Sequence, residues 1–444
     1  FIMSDDHTAQ AVGAYAPVLK PLNPTPTLDR LAAEGITFDN AFCSNSICTP
    51  SRASIITGQY PHVNGVTDLT GRILPPKQTL PILFRQAGYQ TAMIGKWHLS
   101  GYKYHGAKKE SRPTDHGFDW NIGSEVKSVG NGANTWPYVF RTQPIRWIDF
   151  KDNRLGKEEN LTDRLNLEAV EFIRRNKENP FFLYLSHYAP HTILNGRPDL
   201  VAKYRKKHPP GKSGRERCYI CEDAGLGKGD PLNHWAVHHN PHLAAMLEGI
   251  DDGIGKIRSE LESLGLLENT IFIFTSDNGS RNRDEGGSNY PLKGHKGLTW
   301  EGGMRVPCIM RWPNQIPADV IKDEITTSMD IYPTLANFAQ TELPDDRIID
   351  GIDMSESLLN PDIKFYRKNF FYYNKDNLEA VRSGDWKLHV YKTDRRIPHA
   401  SDQNAGPDTG KELQELYNLK NDPSESVNMY EDRPDIVKKL SSML

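Results

Sequence analysis

Two hydrophobic patterns alternate along the chain. Phe1-Ile2-Met3 is a short apolar run that breaks into Ser4-Asp5-Asp6-His7, as a buried strand does when it ends at a polar turn. Leu28, Leu31 and Ala32 keep helical spacing, and Gly35 supplies a stop. A helix is predicted from about Thr79 to Ala87, ended by Gly88, followed by a strand at Thr91-Ala92-Met93-Ile94. Leu167, Val170 and Ile173 mark another helix before Asn179-Pro180, and Phe181 to Ser186 is the next strand. Leu243, Met246, Leu247, Ile250, Ile254, Ile257, Leu261 and Leu264 line one side of a long helix that Gly265 can end, and Thr270 to Thr275 is again strand-like. Strands alternating with helices require right-handed crossovers and a largely parallel sheet covered on both faces. The last ~80 residues differ, with strands at Phe370-Phe371-Tyr372-Tyr373 and from Leu378 to Tyr391, a turn at Ser383-Gly384-Asp385 and a helix from about Pro434. The expected fold is therefore α/β: a large mostly parallel sheet flanked by helices, with a smaller C-terminal α+β domain containing an antiparallel sheet. The division is placed at 1–362 and 363–444.

Open parallel sheets bind ligands at the carboxyl ends of their strands. Four predicted strands end in polar clusters: Ser4-Asp5-Asp6-His7, Gly95-Lys96-Trp97-His98, His187-Tyr188-Ala189-Pro190-His191 and Ser276-Asp277-Asn278-Gly279. If the strands are parallel, all four clusters share one rim. Asp5, Asp6, Asp277 and Asn278 offer hard oxygen donors, which suit Ca²⁺ or Mg²⁺ better than Zn²⁺. Either acidic pair alone is better explained as a cap or turn; both at strand ends favour a metal. Lys96 and His98 straddle Trp97 and point the same way on an extended segment. Two cations beside a metal would receive a tetrahedral oxyanion.

Composition narrows the function classes. Across 444 residues, 25% are charged and 37% apolar, which suits a folded enzyme and excludes a wholly disordered chain. Lys and Arg number 54 against 57 Asp and Glu, a net charge of −3 that argues against nucleic acid as a partner. No apolar run approaches the ~18 residues of a membrane span. Five cysteines (43, 48, 218, 221 and 308) are too few for a disulfide framework. No initiating Met precedes the first strand, so the true start and any signal peptide are expected to lie outside this sequence.

The segment Ser46-Ile47-Cys48-Thr49-Pro50-Ser51-Arg52, continuing to Thr57-Gly58, has a clear local shape. Pro50 can take the first helical position and Gly58 can end the helix. Cys48 then sits just before a helix N-terminus, where an unmodified thiol is expected to be a low-pKa thiolate. The plain alternative is a small buried Cys. Here the sequence resembles the formylglycine-dependent (type I) sulfatases of the alkaline phosphatase superfamily, and among them the polysaccharide sulfatases. Cys48-Thr49-Pro50-Ser51-Arg52 matches the family's Cys-x-Pro-Ser-Arg signature, and Gly95-Lys96-Trp97-His98-Leu99 its second motif. Asp5-Asp6, Ser276-Asp277-Asn278-Gly279, and His295-Lys296-Gly297 through Glu301-Gly302-Gly303 match in family order. The resemblance spans nearly the whole chain.

The resemblance implies an alkaline phosphatase-like sheet and oxidation of Cys48 to Cα-formylglycine by a formylglycine-generating or sulfatase-maturating enzyme. The hydrated aldehyde would attack sulfur, and its second hydroxyl would allow the sulfated intermediate to collapse with expulsion of sulfate, as covalent catalysis requires. Asp5, Asp6, Asp277, Asn278 and modified Cys48 would bind Ca²⁺, preferred over Mg²⁺. Asp277 could also take the proton from the attacking hydroxyl. Arg52 would hold the deprotonated gem-diol oxygen, and Lys96 and Lys296 the sulfuryl oxygens. His191, which follows Ala189-Pro190 as in the family motif, would protonate the leaving alcohol, and His98 would trigger collapse. His187, Lys293 and His295 are assigned to substrate binding, with simple packing the alternative for His187.

The resemblance also implies a sulfated oligo- or polysaccharide substrate, with an algal galactan of carrageenan type favoured, and hence a periplasmic or secreted protein. Two alternatives stand beside it: a phosphoester or phosphonate hydrolase of the same superfamily, and a catalytically silent sulfated-glycan binder. The stretch from about 195 to 240 holds many basic residues, Cys218-Tyr219-Ile220-Cys221, and His234, His238, His239 and His242. Its readings are a Zn²⁺ site of non-standard spacing, a tight disulfide, a solvated loop, or, preferred, a substrate-facing basic insertion. Trp120, Trp136, Tyr138 and Trp147 could stack on sugar rings, though a single Trp more often packs in the core.

Overall fold

Strand residues of opposite parity enter two different cores, and this organises the molecule. The computed structural model describes residues 1–75, 77–101, 110–124, 134–138, 150–156, 158–191, 194–207, 240–281, 289, 291–392 and 411–444. Ile2, Ala92, Ile94, Leu183, Leu185, Phe272 and Phe274 face one apolar layer. Their chain neighbours Met3, Met93, Phe182, Tyr184 and Ile273 face the other. Because side chains alternate along a strand, continuous apolar runs mean a sheet buried on both sides.

In chain order the strands are β1 (Ile2–Ser4), β2 (Ile36–Phe38), β3 (Ala41–Phe42), β4 (Gln90–Gly95), β5 (Trp120–Ile122), β6 (Phe181–Ser186), β7 (Phe272–Ser276), β8 (Cys308–Arg311), β9 (Val320–Lys322), β10 (Thr326–Thr327), β11 (Phe370–Asn374), β12 (Asn377–Ser383), β13 (Trp386–Lys392) and β14 (Lys411–Asn418). The large sheet has the order β5-β4-β6-β1-β7-β8-β2-β9. Its pairings are parallel except where β8 meets β7 and β2. The β3–β10 pair is parallel, and β11 to β14 form a separate antiparallel sheet in sequence order.

The helices are α1 (Pro26–Ala33), α2 (Cys48–Thr57), α3 (Pro61–Asn64), α4 (Leu80–Gln86), α5 (Leu161–Arg175), α6 (Pro198–Lys207), α7 (Pro241–Ser263), α8 (Glu301–Met304), α9 (Ile331–Phe338), α10 (Ser355–Leu359) and α11 (Pro434–Ser441). α1, α5, α6 and α7 cover one face of the large sheet. α2, α4 and α9 cover the other, where Phe370, Tyr372 and Ala380 of the C-terminal sheet join them. The opposite face of that small sheet packs Val381, Leu388 and Leu416 against Leu440 of α11. The expected α/β architecture with a C-terminal antiparallel sheet is thus present. None of the described helices is long and apolar enough to cross a membrane.

One helix start depends on a distant residue. No side chain of its own segment caps α1. Asp251 of α7 does so, accepting from Thr27 N at 2.9 Å and Leu28 N at 2.8 Å. Asp251→Ala leaves two donors without a partner in the buried interface of α1 and α7. It is expected to destabilise the fold by about 1–2 kcal/mol, read as a lower urea midpoint.

Candidate active site

Parallel pairing brings the polar strand ends to one level. Ser4 pairs with Ser276, Met3 with Ser186, and Ser186 with Gly95. The ladder runs on into the clusters: His187 N donates to Met3 O at 2.8 Å, Lys96 N to Ser186 O at 2.8 Å and Asp277 N to Ser4 O at 3.3 Å. Gly95 turns the chain into the rim with φ +95°, and a Cβ there would stand 2.0 Å from Ser186 O, so only glycine fits. Asp6 and His98 also have positive φ, 59° each. Non-glycine residues adopt that conformation at a cost, commonly at functional sites.

Cys48 is the first residue of α2, with Ile47 before it in extended conformation and Gly58 closing the helix at φ 68°. Its Sγ lies 3.5 Å from Asp5 Oδ1, 3.8 Å from Asp6 Oδ1 and 2.9 Å from Lys296 Nζ. One turn along, Arg52 donates from Nε and Nη2 to Asp277 Oδ2 at 2.9 and 2.7 Å, and from Nη1 to Lys96 O and Ser186 Oγ. Lys96 Nζ meets Asp5 Oδ2 at 2.5 Å, and Lys296 Nζ meets Asp6 Oδ1 at 2.5 Å. Asn278 Nδ2 donates to Asp6 Oδ1 at 2.7 Å, and Asp6 N to Asp277 Oδ1 at 3.1 Å. His191 Nε2 is 3.5 Å from Asp6 Oδ2. All of these groups except His191 are almost completely withdrawn from solvent.

Burial and mutual charge set the protonation states. Burial pushes Asp5 up to about 7, Asp277 adds to this, and Lys96 opposes it. Burial acts upward on Asp6 as well, but Lys296, His191 and Lys96 outweigh it and hold the carboxyl below its usual range. Asp277 is likewise held down, chiefly by Arg52 against its burial. Burial keeps His98 and His191 neutral well below the usual imidazole range; Lys96 and Arg52 reinforce this at His98, while Asp6 opposes it at His191. The expected low-pKa thiolate is corrected here. Burial, reinforced by Asp277, pushes the Cys48 thiol up, and Lys296 and Lys96 offset only part of it. The favourable start of a helix is outweighed by the low-dielectric surroundings.

The donor set suits a hard dication. Ligand atoms of Asp5, Asp6, Cys48 and His191 lie within 4.8 Å of one another. Asp6 Oδ2 and Asn278 Oδ1 are buried with no hydrogen-bond partner. Buried oxygens that accept nothing are costly, and carboxylate plus amide oxygens are the ligands Ca²⁺ and Mg²⁺ take.

The substrate-binding candidates are more dispersed. His187 is fully buried, neither ring nitrogen is hydrogen-bonded, and burial alone pushes its pKa down to about 3. Lys293 is partly exposed; its Nζ donates to Tyr417 OH at 3.1 Å and lies over the Trp300 ring. His295 Nδ1 is 2.8 Å from Lys296 O. Ser186, which holds Arg52, had not been singled out, although it ends the strand next to His187. Trp136 packs edge-on against buried Tyr138, whose hydroxyl donates to Glu159, as core aromatics do. Trp120 remains 37% exposed on β5. Trp147, Cys218, Cys221, His234, His238 and His239 lie outside the described residues, whereas His242 is buried in the first turn of α7.

Comparison with known proteins gives a consistent picture. A family model described as sulfatase matches residues 1–341. A second, described as the C-terminal region of aryl-sulfatase, matches 366–444. N-acetylgalactosamine-6-sulfatase of Canis lupus familiaris is 32% identical over 415 residues, covering 88% of this chain and 71% of the relative. Among solved structures, Ps i-CgsB in complex with k-i-k-neocarrahexaose superposes with a TM-score of 0.74 at 24% identity, covering 99% of this chain and 90% of that one. A protein solved with its substrate D-glucosamine-2-N,6-O-disulfate gives 0.70 at 26% identity, covering 100% and 96%.

Proposed function

The chain belongs to the sulfatase family and is a sulfuric ester hydrolase, and from that premise we propose that it removes sulfate from a sulfated carbohydrate using Cys48, oxidised to formylglycine, as nucleophile. The observation that carries this reading is the meeting of Cys48 Sγ with Asp5, Asp6 and Lys296 within 3.8 Å, at the carboxyl ends of parallel strands. Residues 1–362 form the catalytic domain and 363–444 the smaller C-terminal one.

When present, the formylglycine hydrate supplies the nucleophilic oxygen, and a Ca²⁺ held by Asp5, Asp6, Asp277, Asn278 and residue 48 supplies Lewis acidity. The chain's own residues do the rest. Lys96 and Lys296 bring two buried ammonium groups to the anion, where little solvent screens them and they need not reorganise as charge develops. Arg52, fixed by Asp277, Ser186 and the Lys96 carbonyl, presents a guanidinium to the oxygen borne by residue 48. Asp277 is ionised and can accept the proton of the attacking hydroxyl. His191, whose Nε2 stands 3.5 Å from Asp6 Oδ2, is the group assigned to protonate the leaving alcohol. His98 is kept neutral by burial, reinforced by Lys96 and Arg52, which suits a base. Lys293 and His295, which flank Lys296 in the chain and are less buried than it, contact the sugar.

Glycan chemistry is supported by the relatives: one is named for N-acetylgalactosamine 6-sulfate, one is solved with a neocarrahexaose and one with a disulfated glucosamine. A sulfated oligo- or polysaccharide is accordingly the proposed substrate, with carrageenan-type galactans first to be tested and export to the periplasm or medium implied. The test is initial rates on an aryl sulfate and an aryl phosphate, using protein in which a lowered mass of the Cys48 peptide verifies formylglycine. The sulfate ester should be preferred by at least about tenfold, or roughly 1.4 kcal/mol at the transition state. Preference for the phosphate replaces the sulfatase reading with a phosphoester hydrolase. An unmodified thiol from the native host leaves the silent glycan binder. Sulfate release across defined sulfated oligosaccharides then selects the sugar.

A further inference from the structure

Lys296 reaches the site from a segment gripped on two sides. Toward the large sheet, Lys296 N donates to Ser280 O at 2.9 Å and Gly297 N to Ser46 O at 2.8 Å. On the other side the grip belongs to the C-terminal sheet. Asn374 of β11 donates from Nδ2 to Gly297 O at 3.3 Å. Thr299 Oγ1 donates to Glu379 Oε2 of β12 at 2.6 Å. Lys387 of β13 donates from Nζ to Thr299 O at 2.8 Å and to Glu301 Oε1 at 3.0 Å, and stands 3.0 Å from Glu425 Oε1. Glu425 closes the circuit, since its Oε2 accepts from Glu301 N at 2.8 Å and its Oε1 meets His389 Nε2 at 2.9 Å.

Lys387 and Glu301 are wholly buried, and Glu425 and Glu379 are 1% exposed. Such a cluster is a poor way to gain stability, because desolvating the ions offsets most of their attraction, and apolar side chains of the same volume would bind the sheets as well. What ions and directional hydrogen bonds supply, and apolar packing does not, is register. The three protons of the Lys387 ammonium have three acceptors at fixed positions, two of them on residues 299 and 301. A slide of the backbone there would cost Lys387 its bond to Thr299 O and its pairing with Glu301, leaving it Glu425 alone. Two residues before Thr299, the same strap is pinned to Ser46, two residues before Cys48. The distance between the Lys296 ammonium and residue 48 is therefore set from both sides.

We propose that Lys387 and Glu425 are positioning residues for Lys296: the C-terminal sheet sets the register of residues 297–301 and thereby holds the Lys296 ammonium at the reacting centre. The inference rests on the sulfatase reading above. It is tested by a double-mutant cycle on the full-length, formylglycine-bearing enzyme, with steady-state kinetics on an aryl sulfate for Lys387→Met, Lys296→Met and the pair. Lys387→Met should lower kcat by about ten- to a hundredfold, as a misplacement of about 1 Å does, with KM changed less than about threefold. In the Lys296→Met background the same substitution should change kcat by less than about twofold, because no ammonium remains to be positioned. Losses that multiply overturn the proposal, as does a kcat per folded, formylglycine-bearing molecule equal to wild type. If Lys387→Met does not fold, Glu425→Gln, which keeps the volume but puts an amide nitrogen in place of one of the two oxygens that accept from Glu301 N and meet Lys387, takes its position in the cycle. A loss that vanishes with Lys296→Met supports the proposal, and no loss overturns it. A wild-type enzyme that carries formylglycine yet releases no sulfate removes the sulfatase reading instead, and the same cycle on an aryl phosphate then decides the positioning role.

Discussion

Cys48→Ala is expected to abolish sulfate release, a fall of at least about 10⁴-fold in kcat, while leaving the fold in place. Alanine offers neither a thiol to oxidise nor an oxygen to attack sulfur. The rest of the cluster keeps other partners: Arg52 is held by Asp277, Ser186 and the Lys96 carbonyl, Lys96 by Asp5, and Lys296, which loses its contact with residue 48, by Asp6. Losing the side-chain atoms beyond Cβ leaves a small cavity worth about 1 kcal/mol, and α2 keeps Ala53, Ile55 and Ile56 in the core. The variant should therefore match the wild type in circular dichroism and melt close to it, which separates loss of the nucleophile from loss of structure. Turnover retained by Cys48→Ala would mean that water or another group attacks, and the formylglycine proposal would fall.

Much of the molecule could be read from local pattern. The runs at Phe1–Met3, Thr91–Ile94, Phe181–Ser186 and Thr270–Thr275 are strands within a residue or two, because a sheet buried on both faces writes itself as continuous apolar sequence. Their polar ends share one rim because parallel strands end on the same side. What could not be read depends on partners far away. The four residues of β8 run against the rest of the large sheet, which follows from their pairing with β7 and β2 and not from Cys308-Ile309-Met310-Arg311 itself. β14, with Lys411, Glu412 and Glu415, carries the charge of a solvated segment. The thiol of Cys48 was misjudged for the same reason: a helix start is a local feature, but the burial that raises its pKa is made by the whole fold. Lys387 and Glu425 lie 38 positions apart, and their burial around Glu301 follows from the folded sheet and not from their own segments.

The second large effect is expected from Asp277→Asn. The substitution keeps shape and removes one negative charge from a buried cluster whose cations, Arg52, Lys96 and Lys296, all remain. Two consequences have the same sign. A dication entering the cluster meets one unit less of compensating charge, so the Ca²⁺ needed for half-maximal rate should rise by about 10²-fold or more, at the upper end of losses for groups that merely support a metal ligand. The amide has one accepting oxygen where the carboxylate gave one to Arg52 Nε and Nη2 and the other to Asp6 N, so Arg52 loses its charged partner, and its nearest alternative is Asp5 Oδ1, now 3.8 Å from Nη2. A guanidinium drawn toward Asp5 competes with the dication for the same oxygen and leaves the position from which it would steady the oxygen on residue 48. The rate should therefore remain about 10²–10³-fold low even at saturating Ca²⁺, which separates this residue from one that only binds metal. The measurement is rate against Ca²⁺ concentration after chelation. Unaltered kinetics at limiting Ca²⁺ would take Asp277 out of the site, and full recovery at high Ca²⁺ would leave it a ligand with no part in orienting Arg52.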